Sequence, residues 1–169
     1  GIDMRLFRQP IGIPISLMML MLLDGQISSL LATVLPLEFH VVSHLLLIFL
    51  LFVSVEITDV AAFLIFLVIG IFYDAYYFRV IGIATLLLPL MSLAVNKYNT
   101  IMMANRLTRF LSVLVLVFLF EIVSFLLANL VNLTSMEMSS FIVYSLAPSM
   151  LLNSLILLLL NPVLEKVYL

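Results

Sequence analysis

The sequence predicts an all-α polytopic membrane protein, a single bundle of about six transmembrane helices. Three observations carry that prediction. Hydrophobic residues make up 66% of the 169-residue chain and charged residues only 9%, against about a quarter in soluble domains. The apolar runs are unbroken, as from Val41 to Val55 and from Phe141 to Leu152, whereas a membrane barrel shows ~10-residue segments of alternating polarity. Short polar turns part these runs into segments near the ~20 residues that a spanning helix needs, each satisfying its own backbone.

Residues 1–9 read as a cytoplasmic N-terminus, with Gly1-Ile2-Asp3 ahead of Met4 a vector-derived scar. Span 1 covers 10–35. It is too long for a cleaved signal peptide, contains Asp24 and is followed by further spans. Pro36-Leu37-Glu38 turns the chain into span 2, residues 39–55, and Glu56-Ile57-Thr58-Asp59 forms a hairpin to span 3, residues 60–78. At 1.5 Å per residue, 39–78 is about twice too long for one crossing. Span 4 covers 80–98 around Pro89, and 99–109 is the most polar connection. Span 5 covers 110–131 around Glu121. Span 6 covers 138–160 around Pro148 and Asn153, so that one domain occupies 10–160 and 161–169 is a cytoplasmic tail.

The basic residues check this count. With the N-terminus inside, Arg5, Arg8, Lys97, Arg106, Arg109 and Lys166 are cytoplasmic and Arg79 alone is outside, as the positive-inside rule requires. Tyr73, Tyr76, Tyr77 and Phe78 then sit where an aromatic belt is expected. No loop is long enough for an extramembrane domain. The chain has no Cys, hence no disulfide framework. It shows no Gly-rich phosphate loop, no His-Glu-x-x-His and no Gly-x-Ser-x-Gly, so no catalytic role, cofactor or metal is expected. The basic cluster is too small and too close to the bilayer for nucleic acid; contact with anionic lipid is its secondary use.

Asp24 and Glu121 are the sharpest candidates, because a charge at membrane depth costs ~2.5–3.5 kcal/mol even on the lenient insertion scale. Such an acid either contacts a ligand, proton or partner, or holds helices together. Asp24, Ser28 and Ala32 share one face of span 1, with Gly25, Ser29 and Thr33 in the next row. Small residues at this spacing let another helix approach closely. Ser145, Ser149 and Asn153 repeat the pattern in span 6, and Glu121, Ser124 and Ala128 share a face of span 5. Internal packing accounts for most of these stripes, while one of them meets a second protein. His40 and His44 have a spacing that suits a metal, but no acid or Cys completes a site, and hydrogen bonding at the interface is the better reading.

Gly70-Ile71-Phe72-Tyr73-Asp74, followed by Ile81-Gly82 at the entry to span 4, resembles a pattern of the MreD family, the rod shape-determining membrane proteins of the bacterial elongation machinery. Gly70 allows a close helix crossing and Gly82 a sharp entry to span 4. The segments 105–109, 141–146 and 165–169 also look like streptococcal-type MreD, so the resemblance covers nearly the whole chain. It implies a six-helix fold similar to the S components of energy-coupling-factor transporters. It further implies a non-catalytic scaffold that binds MreC and links it to RodA and its class B penicillin-binding transpeptidase. MreB and a second copy of this chain stand as open partners.

The expected function is therefore a scaffold for cell-wall (peptidoglycan) synthesis and cell shape in the bacterial plasma membrane, with both termini cytoplasmic. Asp24, Ser28, Gly70, Asp74, Gly82 and Glu121 are the candidate partner- or pocket-lining residues. The first rival is an S component capturing a vitamin-like substrate, with His40, His44, Asp74, Tyr76 and Tyr77 around an outward pocket. Against it, such proteins carry Ala-x-x-x-Ala in span 1, where this chain has Ser28-x-x-x-Ala32. The second rival is an intramembrane enzyme or flippase.

Overall fold

Apolar sequence with few helix breakers yields one helix after another. The computed structural model describes residues 12–54, 56–78, 81–132 and 135–168. Helix α1 is Gly12–Val34, α2 Leu45–Ser54, α3 Asp59–Tyr73, α4 Ala84–Lys97, α5 Asn99–Met102, α6 Arg106–Leu130, α7 Met138–Phe141 and α8 Ala147–Tyr168. Single π-helical turns, Asp74–Phe78 and Ile142–Leu146, extend α3 and join α7 to α8. Four of the resulting helices are long and apolar enough to cross a membrane: Gly12–Val34, Asp59–Tyr77, Arg106–Leu130 and Met138–Val167. Together with the shorter apolar helices α2 and α4 they make a polytopic membrane protein. The expectations for Arg5, Arg8, Pro10, Arg79 and the scar lie outside the described residues.

Local chemistry sets several ends. Thr58 caps α3 by accepting from the Ala61 N–H at 3.2 Å. Asn105 and Thr108 form a reciprocal capping box at α6, which satisfies two orphan donors. Asn132, with φ 61°, follows the end of α6 in the left-handed region that Asn tolerates.

The largest departure from expectation is span 2. Residues 39–44 are not helical, and only Leu45–Ser54 forms the helix. Val41 and Val42 are β-branched and favour extended backbone, and neighbouring side chains supply the hydrogen bonds that a helix would have made. Helix α2 is buried along its whole length except for half-buried Phe49. It touches α1, α3, α4, α6 and α8 and so forms the axis of the bundle, as expected for a helix that is apolar all round.

Two further boundaries move. Span 6 does not stop at Leu160: α8 continues through Pro162 to Tyr168, so residues 161–168 are helix rather than a separate tail. The aromatic belt is only partly a belt. Tyr76 is exposed, but Tyr73 is buried and Tyr77 half-buried, with its hydroxyl donating to the Met21 carbonyl of α1. Gly25 makes room for this ring, since a Cβ there would meet the Tyr77 hydroxyl at 2.5 Å.

Candidate functional site

The non-helical segment 39–44 organises the site. Backbone N–H groups at membrane depth must find partners within the protein; Phe39 and His40 find backbone carbonyls, of Pro36 and Tyr144, and the next three bonded groups find side chains. Val42 N–H donates to Ser149 Oγ at 2.9 Å, Ser43 N–H to Ser28 Oγ at 3.0 Å and His44 N–H to Asn153 Oδ1 at 2.6 Å. Leu45 N–H donates to Asp24 Oδ1 at 2.7 Å and Leu46 N–H to Asp24 Oδ2 at 3.0 Å, while the Ser43 hydroxyl donates to Oδ1 at 2.8 Å. Asp24 of α1 therefore caps the N-terminus of α2 from another helix, where a carboxylate also meets the positive end of the helix dipole.

The carbonyls of the segment are served as well. Asn153 Nδ2 donates to Val42 O at 2.9 Å and the Ser145 hydroxyl to His40 O at 2.8 Å. At the other end of α2, Asn96 Nδ2 of α4 donates to Ser54 O at 2.8 Å and Ile57 O at 3.0 Å. The stripes on α1 and α8 thus accommodate a broken helix instead of a plain helix crossing.

Asp74 repeats the device. It is fully buried, and its oxygens accept from the N–H groups of Gly82, Ala84 and Thr85 at 2.7–2.9 Å and from the Thr85 hydroxyl at 2.7 Å. It caps α4 from the π turn that extends α3. Gly82 has φ +141°, a conformation that L side chains rarely adopt. A Cβ on Gly70 would sit 2.6 Å from Ala84 O and 2.8 Å from Thr85 Cα. Gly70, Asp74 and Gly82 are three parts of one α3–α4 junction.

Glu121 and His44 form a buried polar pair, with His44 Nε2 2.5 Å from Glu121 Oε1. His44 is interior, 2% exposed, so the expected hydrogen bonding at the membrane interface does not apply to it. It packs edge-on against Phe120. His40 remains exposed.

Beside this pair lies a cavity of about 340 Å³, within the size range of small-molecule sites. Buried Asp24, Ser43, His44, Tyr73, Phe120 and Glu121 line its floor, and exposed His40 and half-buried Met136 lie at its outer end. Asp24, Ser28 and Glu121 are thus brought together around one cavity. Gly70, Asp74 and Gly82 do not line it. Sequence reasoning missed Ser43 and Asn96. Asn96 stands beside Lys97 at the polar end of span 4 and gave no distinct signal, and Ser43 had only its neighbours Val41 and Val42.

At the opposite end of the bundle, Glu165 of α8 accepts from Arg106 Nε and Nη2, both at 2.8 Å, and from Arg109 Nη2 at 2.6 Å. The start of α6 and the end of α8 are tied there.

A family model described as "rod shape-determining protein MreD" matches residues 7–169. The "Cell shape-determining protein MreD" of Streptococcus pneumoniae (strain ATCC BAA-255 / R6) is 43% identical over 159 residues, which cover 94% of this chain and 96% of the relative. No solved structure matches.

Proposed function

The chain belongs to the MreD family of rod shape-determining proteins, and from that premise we propose that it is a non-catalytic membrane scaffold of the elongation machinery. Its task is to hold MreC and, through it, RodA and the class B penicillin-binding transpeptidase at sites of peptidoglycan synthesis. MreB and a second copy of the chain are further partners of the same assembly. The family match over nearly the whole chain is the observation that carries this reading.

The placement of the polar groups supports it. Of Asp24 and Glu121, the two acids that an intramembrane enzyme would draw on, Asp24 is committed to backbone N–H groups of α2 and Glu121 is bonded through Oε1 to His44. What remains for a partner is the outer surface. Gln26, Ser29 and Thr33 are exposed on α1 at helical spacing, and Gln26 lies near the middle of this span. An amide facing hydrocarbon is costly, and Ser and Thr beside it let a second helix approach closely. This stripe suits a membrane-embedded helix of a partner, which the scaffold reading identifies as MreC.

The proposed location is the bacterial plasma membrane with cytoplasmic termini. Lys97, Arg106, Arg109 and Lys166 are consistent with it. They gather at the end of the bundle where the start of α6 meets the end of α8, as the positive-inside rule asks.

Depletion in the native bacterium tests the scaffold reading. Loss of the protein is expected to shorten or round the cells and to reduce incorporation of a fluorescent D-amino acid into the peripheral wall. Unchanged shape and unchanged incorporation would sink the proposal.

A further inference from the structure

The cavity beside His44 and Glu121 is not used by a scaffold, and its chemistry is specific. We propose that it binds a small neutral or singly cationic amphiphile, with a hydrogen-bond donor at one end and an apolar, ring-sized body at the other. The proposal does not rest on the scaffold reading.

Four observations carry it. Glu121 lines the cavity, and Oε1 is its bonded oxygen; Oε2 accepts no hydrogen bond among the described residues. One turn on, Ser124 lines the same wall, is 6% exposed, and its hydroxyl has no partner among the described residues. This is unusual within the chain, since the buried or half-buried Ser112 and Ser154 each donate to the carbonyl four residues earlier, at 2.7 Å. A buried hydroxyl without a partner is destabilising, and a ligand would relieve that cost. Third, the remaining wall is apolar and partly aromatic. Phe125 and Phe141 stack with centroids 4.1 Å apart, and Phe120, Ala128 and Met136 add to the apolar surface.

The fourth observation selects charge. Among the described residues, two carboxylates, Asp24 and Glu121, line the cavity and no Lys or Arg does. Asp24 already accepts three hydrogen bonds, which leaves Glu121 as the acceptor for a ligand. An ammonium or hydroxyl group would donate to Glu121 Oε2, and Ser124 Oγ lies within one turn to give or take a second bond. An anion would face two carboxylates, with only His40 and the Glu121-bonded His44 among the described lining residues able to carry a counter-charge, and is disfavoured. The non-helical segment 39–44 forms one side of the cavity, as irregular backbone at membrane depth commonly does.

Three probes share one skeleton and differ in head group: phenethylamine, phenethyl alcohol and hydrocinnamate. Binding to the full-length protein in mild detergent is followed by thermal shift and native mass spectrometry. The amine and the alcohol are expected to bind saturably and to raise the melting temperature, and hydrocinnamate to bind at least on the order of tenfold more weakly. Ala128→Phe, which fills the cavity and leaves the polar pairs intact, is expected to abolish binding. Glu121→Gln is expected to remove the preference for the amine over the alcohol. Should Ala128→Phe fail to fold, Ser124→Leu occupies the same wall, and the head-group ranking on wild-type protein needs no variant. Failure of all three probes to bind, hydrocinnamate binding as tightly as the amine, or undiminished binding to a folded cavity-filled variant would each overturn the proposal.

Discussion

Asp24 and Asp74 each replace the missing first turn of a helix on another element, so their substitution acts first on stability. Asp24→Ala leaves two buried N–H groups and the Ser43 hydroxyl without acceptors. The expected cost is about 3 kcal/mol, or a fall of roughly 10 °C in melting temperature in detergent. Asp24→Asn keeps one acceptor oxygen and turns an amide N–H toward another donor, so it falls between alanine and wild type. Gly70→Ala separates two kinds of close contact. Its Cβ meets the backbone of Ala84 and Thr85, whereas a Cβ on Gly25 meets only the end of the Tyr77 side chain. Gly70→Ala is therefore expected to cost roughly 1–3 kcal/mol and Gly25→Ala less, because Tyr77 can rotate away. Thermal melts of the two purified variants check the order.

At the scale of elements, α2 is a ten-residue helix capped at both ends from outside. Asn153 serves one end, bonding His44 N–H and Val42 O, and Asn96 the other. Asn153→Leu is expected to expose segment 39–46 to amide exchange well before the rest of the bundle, as a local opening. Exchange rising uniformly in all helices would contradict that account. The same element shows what the sequence made legible and what it did not. The number and order of apolar segments followed from length and polarity, and Asp24, Glu121, Ser145, Ser149 and Asn153 stood out because polar residues at membrane depth need partners. That their partner is an unwound stretch of backbone was hidden, since 39–55 has the composition of an ordinary span. The side chains that reach it from α1 and α8 decide it, and no local propensity encodes that meeting. The Gly70–Asp74–Gly82 pattern was visible as a motif, but its work as a helix cap at the α3–α4 junction needed coordinates.

Across the whole molecule, the two ends of the bundle differ. One carries the cavity and the unwound segment. The other is tied by Glu165 between exposed Arg106 and buried Arg109. Glu165→Gln is expected to destabilise more than Arg106→Gln, because it strips a buried guanidinium of its counter-charge, while the exposed pair is screened by water. Comparing the two melts at low and high salt checks this, with only the exposed pair responding to salt. Helix α1 meanwhile presents Gln26, Ser29 and Thr33 outward, a face that the isolated chain leaves unpartnered. The scaffold reading assigns that face to a second membrane protein.

The most direct test is co-purification from the native bacterium with a tag on this protein, comparing wild type with the double variant Gln26→Leu and Ser29→Leu. The account predicts that MreC and the RodA–transpeptidase pair come with the wild-type protein and are lost from the double variant, which still folds because both positions are exposed. Recovery of a transporter ATPase module with none of these wall-synthesis proteins would contradict it.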